Sequence, residues 1–170
     1  MKRVALAVRE LHQAENELAG ELLAVADRHK DDHDIFHVAR DLAGWSRRHM
    51  HRLAELGRER DIALDGRPRD PEPPDRWPGD ETLGASVRRK GAELLGRGED
   101  PRLLLLRDLR GLHRMAAGVS LDWEILAQTA QALKDRELLD LAKRCHPGTL
   151  RQLRWANATL KENAPQIMTE

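Results

Sequence analysis

Leu105, Leu109, Leu112, Ala116, Val119, Trp123, Leu126, Ala130 and Leu133 follow one another at alternating steps of four and three residues. A strand would need a period of two. A 4-3 alternation keeps every one of these side chains on a single stripe of an α-helix that packs nearly parallel to its neighbours. Glu99-Asp100-Pro101 opens the segment with an N-cap candidate and a proline at the first helical position. The pattern predicts a helix over 101–134, about 50 Å long at 1.5 Å per residue. A stripe of that length needs partner helices, which sets the fold class as all-α.

Three further segments carry the same spacing. Val4, Val8, Leu11, Glu15, Leu18, Leu22, Val25 and His29 predict a helix over 2–29. Ile35, Val38, Leu42, Trp45, His49, Leu53 and Leu56 predict a second over 34–57, capped by Asp32 or Asp34 and stopped by Gly57. Leu138, Leu141, Ala142, Cys145, Leu150, Leu153, Ala156 and Leu160 predict a fourth over 136–163, capped by Asp135 and closed by Ala164-Pro165. Pro147 either kinks this helix or restarts it. Five of the eight prolines fall between Pro68 and Pro78, so 58–100 reads as a long Pro-rich crossover, with a short helix at 82–95. Short first and third connections make antiparallel hairpins, and the crossover has the length to run the whole bundle. An up-down-down-up four-helix bundle filling 1–170 as a single domain follows.

With that order in place, particular phrases carry a resemblance. They are Ala14-Glu15-Asn16-Glu17-Leu18, Trp45-Ser46-Arg47-Arg48-His49, Leu106-Arg107-Asp108-Leu109 and Asp122-Trp123-Glu124-Ile125-Leu126-Ala127-Gln128. Cys145-His146-Pro147-Gly148-Thr149-Leu150-Arg151-Gln152-Leu153-Arg154-Trp155 and Lys161-Glu162-Asn163-Ala164-Pro165-Gln166 complete them. Together they resemble a ferritin-like domain, and more narrowly a group of bacterial ferritin-like proteins of unassigned activity. Such folds host storage, oxidation and purely structural roles.

The resemblance implies a test for di-iron chemistry. Ferritin-like di-iron sites take one Glu from each of two helices and a Glu-x-x-His from each of the other two. Hard anionic bridges hold the two cations, and His completes each shell. Glu15 stands where the first helix would offer its carboxylate, and His49 is retained in the second, with Ser46 in place of the Glu of its motif. The stripe of the third helix reads Leu112, Ala116, Val119 at its middle, and the nearest frame in the fourth is His146-Pro147-Gly148-Thr149. One carboxylate for two cations leaves buried positive charge uncompensated. No cofactor is expected on that count. The competing reading is a single divalent ion, Fe or Zn, held by Glu15 and His49 with His146 or His113. The bland reading of Glu15 and His49 is a satisfied buried pair that fixes helix register.

The remaining polar and aromatic outliers read as structure. Trp45 and Trp123 lie on inward stripes, Trp155 lies towards a flank, and Trp77 pins the crossover or joins an interface. His29, His33, His37 and Asp41 stand at four-residue steps, but the turn at 30–34 separates His29, and His33 and His37, a weak surface chelate at best, read as a solvated helix start. Cys145 falls on the inward side as a small hydrophobe, not beside a catalytic base. Arg88-Arg89-Lys90 and Arg47-Arg48 are short basic clusters on solvated faces.

Charge balance narrows the partners. Lys plus Arg and Asp plus Glu are 29 each, which argues against nucleic acid or anionic membrane as partners. No leader and no membrane span is expected from the hydropathy, and one cysteine fits a reducing cytoplasm. Arg at 23 against Lys at 6 fits the codon bias of a GC-rich bacterial genome. The sequence reading is a non-enzymatic structural or interaction bundle that self-associates, most simply as a dimer. Its rivals are a metal-dependent oxidoreductase or iron-handling protein, and a bundle that binds a small molecule where carboxylates are missing.

Overall fold

The computed structural model describes residues 2–64 and 100–169. The crossover, its expected helix at 82–95 and Trp77 lie largely or wholly outside the described residues. Four helices account for nearly all of the rest: α1 (Lys2–Arg28), α2 (His33–Glu59), α3 (Pro101–Ala132) and α4 (Arg136–Thr169). Among the described residues there is no strand and no helix long and apolar enough to cross a membrane.

Each predicted start is made by the expected chemistry. Asp32 Oδ1 accepts from the Ile35 N–H at 3.1 Å and caps α2. Asp100 Oδ1 accepts from the Arg102 N–H at 2.9 Å with Pro101 in the first turn of α3. Asp135 Oδ1 accepts from the Leu138 N–H at 3.1 Å and caps α4. An N-cap oxygen satisfies one of the four N–H groups that a helix start leaves without a partner.

The stops differ from expectation. Helix α2 continues past Gly57 to Glu59, and its left-handed residue is Asp61, with φ 53°. The Ile62 N–H reaches back to the Gly57 carbonyl at 2.8 Å, the signature of a Schellman turn. Gly57 serves another purpose: a Cβ there would lie 3.0 Å from both the Ile62 carbonyl oxygen and Leu64 Cδ1. The α3–α4 connection repeats the motif, with Lys134 at φ 57° and the Asp135 N–H on the Ala130 carbonyl at 2.9 Å. Asp135 thus closes one helix with its backbone and opens the next with its side chain.

Helix α4 runs on to Thr169 rather than closing at Ala164-Pro165, and it passes through Pro147 without restarting. Each proline removes a single N–H, so the acceptors left open are the carbonyls of Lys143 and Lys161. Both lysines are exposed, so water is close at hand. Near the end, Thr169 Oγ1 donates to the Pro165 carbonyl at 2.7 Å.

Helix α1 packs on α2 and α3, and α4 packs on α3 and α2. The core joins Val8, Leu11, Leu18, Leu22 and Val25 of α1 to Leu42 and Leu53 of α2, Leu105 to Ala130 of α3, and Leu138 to Ala156 of α4. In α2 the buried face differs from the expected stripe: Ala39, Ala43, Ser46 and Met50 go in, while Val38 and Trp45 are half-buried. Ile35, Leu42, His49, Leu53 and Leu56 of the stripe stay buried to the end of α2, so its inward face is a band wider than a two-per-heptad seam, as expected for a helix with neighbours on two sides.

Ion pairs fix the ends. Arg60 binds Asp135 with two nitrogens and reaches Glu137 at 2.8 Å, tying the end of α2 to the start of α4. Arg28 Nε and His29 Nε2 lie 2.9 Å and 2.8 Å from Asp108 Oδ2, tying the end of α1 to the early part of α3. Burial alone would push the Asp108 carboxyl up, but the His29 and Arg28 hydrogen bonds outweigh it and hold the group below its ordinary range. A depressed carboxyl contributes stability above its unfolded pKa, near 4, and loses it as pH falls through the folded value. Asp108→Asn is therefore expected to cost about 1–2 kcal/mol at pH 7. The gap to the native chain closes between roughly pH 5 and 2, as read from urea unfolding at several pH values.

Candidate functional site

One layer across the middle of the bundle is polar. Glu15 of α1, Ser46 and His49 of α2, and Thr149 and Gln152 of α4 are all buried. Trp123 of α3 is fully buried at the same level and turns its indole N–H into the layer. Glu15 Oε1 is the hub. It lies 2.8 Å from His49 Nδ1, takes the Trp123 Nε1–H at 2.8 Å and takes the Thr149 hydroxyl at 3.3 Å. With Glu15 as acceptor, His49 carries its proton on Nδ1.

Beside this hub, Gln152 Nε2 donates to Ser46 Oγ and to the Leu42 carbonyl, each at 2.9 Å. Two acceptor oxygens, Glu15 Oε2 and Gln152 Oε1, are buried with no hydrogen-bond partner among the described residues. Each is an acceptor with lone pairs that a hydrogen-bond donor or a cation would suit. Gly148 makes room for the ring of His49. A Cβ on it would stand 2.8 Å from His49 Nε2 and 2.9 Å from Cε1, so any side chain there would push the imidazole away from Glu15. His49 also meets the Trp123 ring edge-on, with centroids 5.8 Å apart.

Of the four candidate metal ligands, the structure brings Glu15 and His49 together. His113 Nδ1 lies 3.3 Å from the Leu153 carbonyl. His146 Nε2 lies 2.8 Å from Ser120 Oγ, with its Nδ1 3.8 Å from Glu124 Oε1. Among the described residues no group of three or more His, Cys, Asp or Glu is placed to hold a metal ion. Ser120, His146 and Glu124 have the atom order of a nucleophile, a base and its orienting carboxylate. They stand on continuous helices, whose backbone N–H groups are spent on the helical ladder, so the described backbone there offers an oxyanion no donors.

The aromatic candidates separate by depth. Trp123 is in the core, while Trp45 and Trp155 are half-buried against its edge, and the Arg151 guanidinium lies 5.8 Å from the Trp45 ring centre. Cys145 is fully buried, and burial pushes its thiol up; Arg52 Nη1 approaches Sγ at 3.9 Å. A protonated, enclosed thiol is a poor nucleophile.

The frame in α4 differs from the sequence reading. The inward i, i+3 pair is Thr149 and Gln152 rather than His146 and Thr149, and Trp123 is the polar contributor of α3. Thr149 closes the frame read from the sequence and opens the one found, and Gln152 was missed because a search for carboxylates and imidazoles passes over Gln. His12, one turn before Glu15, was also missed; it is buried, and burial pushes it down, partly offset by Glu15.

Among the described residues the architecture defines a class, an all-α arrangement of four helices with a buried polar layer. Comparison with family models, with curated proteins and with solved structures gives no match.

Proposed function

We propose that the chain is a ferritin-like, up-down-down-up bundle whose di-iron positions have been taken over by neutral hydrogen-bonding side chains. In this reading it is a non-catalytic structural or interaction module that self-associates. Two sets of contacts support the topology. Arg28 meets Asp108 while Glu15 meets Trp123, and Arg60 meets Asp135 while Leu42 meets Gln152. Both pairs of neighbouring helices then run in opposite senses, so α2 ends and α3 begins at opposite ends of the bundle. Against the ferritin-like pattern of two lone Glu and two Glu-x-x-His, the layer offers Glu15 and Trp123, Ser46-x-x-His49 and Thr149-x-x-Gln152.

The observation that carries the reading is the state of that one carboxylate. Glu15 Oε1 already faces three donors, and five of the six ligand-type positions hold His or neutral groups. Two iron ions there would meet one anion and bury most of their charge uncompensated. Self-association is supported by Leu121 and Ile125, one turn apart on the outer face of α3 and 64% and 57% exposed.

A second reading, one divalent cation, is favoured by a specific feature, the unpartnered Oε2 of Glu15. Metal analysis after Fe²⁺ or Zn²⁺ loading and light scattering at micromolar concentration test both. The expected result is no metal dependent on Glu15 or His49, and a mass twice the 19.3 kDa of the chain. Stoichiometric metal that disappears in Glu15→Ala and His49→Ala would establish the cation instead. A monomeric mass, unchanged by Leu121→Glu, would remove the self-association.

A further inference from the structure

We propose that His33 and His37, on the first two turns of α2, form a two-imidazole chelate for a divalent transition-metal ion of the Zn²⁺, Ni²⁺ or Cu²⁺ class. The site lies away from the buried layer and shares no residue with it. Residues four apart on a helix stand one above the other on the same face. Here the two ring centroids are 4.3 Å apart, with the planes inclined by 54°. Two imidazole nitrogens on one ion, each about 2.0–2.1 Å from it, stand roughly 3 Å apart. Rings already this close need only small rotations about their side-chain bonds to reach that arrangement.

The surroundings favour occupation. The His33 side chain is 85% exposed, and His37 is exposed, so an ion reaches them without opening the fold. His37 stands edge-on to Phe36 at 5.0 Å and 85°, and Phe36 packs against the core with the Arg40 guanidinium 5.2 Å from its ring centre. The lower imidazole therefore rests on a fixed wall.

The positive end of the helix opposes a cation. Asp31, Asp32 and Asp34 flank His33 in the chain against one Lys30, with Arg40 the cation over Phe36, and Asp34 Oδ1 lies 4.0 Å from His33 Nδ1. Imidazole is the donor that suits this group of metals, while hard ions such as Mg²⁺ prefer oxygen. Water fills the remaining positions of the ion, so the site is an open surface chelate and not a closed structural centre.

Calorimetric titration of the metal-free full chain with Ni²⁺, and separately Zn²⁺, tests the proposal. One ion per chain is expected. His33→Ala and His37→Ala should each weaken binding by roughly tenfold or more, because the second ligand acts at a high effective concentration. Glu15→Gln should leave the titration unchanged. The double variant His37→Ala with Asp34→His keeps two imidazoles but places them on adjacent residues, about 100° apart around the helix. It should bind no better than His37→Ala alone.

Retained helical circular dichroism in each variant keeps folding out of the comparison. No binding at millimolar metal, unchanged affinity after loss of either His, or native-like binding by the rearranged pair overturns the chelate. Binding lost in Glu15→Gln but kept without His33 overturns both the chelate and the metal-free core, whereas failure of the chelate alone leaves the core reading standing.

Discussion

Glu15→Ala is expected to lower the unfolding free energy by about 3–5 kcal/mol, the range for removing one partner from a buried polar cluster. Three donors lose their acceptor at once: the Trp123 indole N–H, the Thr149 hydroxyl and His49 Nδ1. Each buried group left unsatisfied costs about 1–3 kcal/mol, with the sum reduced by local rearrangement. The measurement is urea unfolding at pH 7, with the midpoint falling and the slope unchanged. For a chain of this size the melting temperature drops on the order of 10 °C. Glu15→Gln keeps the volume and one acceptor oxygen, so it should cost about half as much or less. A Glu15→Ala chain within about 0.5 kcal/mol of native would show that the layer contributes little, because surface substitutions commonly fall in that range.

Trp123→Ala is the second large effect, expected at about 3–5 kcal/mol. The indole is fully buried between helices, so its loss opens a cavity beside Glu15 and His49 and removes one of the hub's donors. Trp123→Phe separates the two contributions. It retains most of the packing and removes the N–H, for an expected loss of about 1–2 kcal/mol. Because the two residues share a hydrogen bond, Glu15→Ala and Trp123→Ala together should cost less than the sum of the single changes by about 1 kcal/mol or more. Strict additivity in that cycle would mean that the bond at 2.8 Å has no energetic weight.

The two substitutions also bear on what the layer is for. Replacing a charged or polar cluster by well-packed apolar residues is often neutral in stability, whereas breaking it on one side is not. A layer with no part in fixing which helices meet would therefore tolerate a concerted apolar replacement of Glu15, His49, Thr149 and Gln152 as a well-folded bundle. Loss of the single folded state in such a variant would tie the layer to helix register.

The 4-3 repeats at 105–133 and 4–29, together with the Asp-Pro start at 100–101 and Asp caps at 32 and 135, determined four helices and their beginnings from the sequence alone. Local rules suffice there because the cap oxygen and the N–H it accepts are two or three residues apart. Ends were less legible. Gly57 attracts a stop signal, yet the left-handed turn fell on Asp61, where backbone hydrogen bonding to Gly57 outweighs the modest cost of φ 53° for an aspartate.

Glu15 and His49 were also visible in advance, since each is a polar residue inside an apolar stripe. What they face was not. Trp123 reads from its stripe as a core plug, and only the packing of α1 against α3 turns its N–H onto Glu15. Thr149 and Gln152 lie 134 and 137 residues from Glu15 in the chain, and their inward frame depends on α4 passing unbroken through Pro147. Sequence periodicity assigns a residue to a face of its own helix. Which atoms then share an oxygen is decided by the rotation and offset of four helices, and those are set by side-chain packing across the whole core.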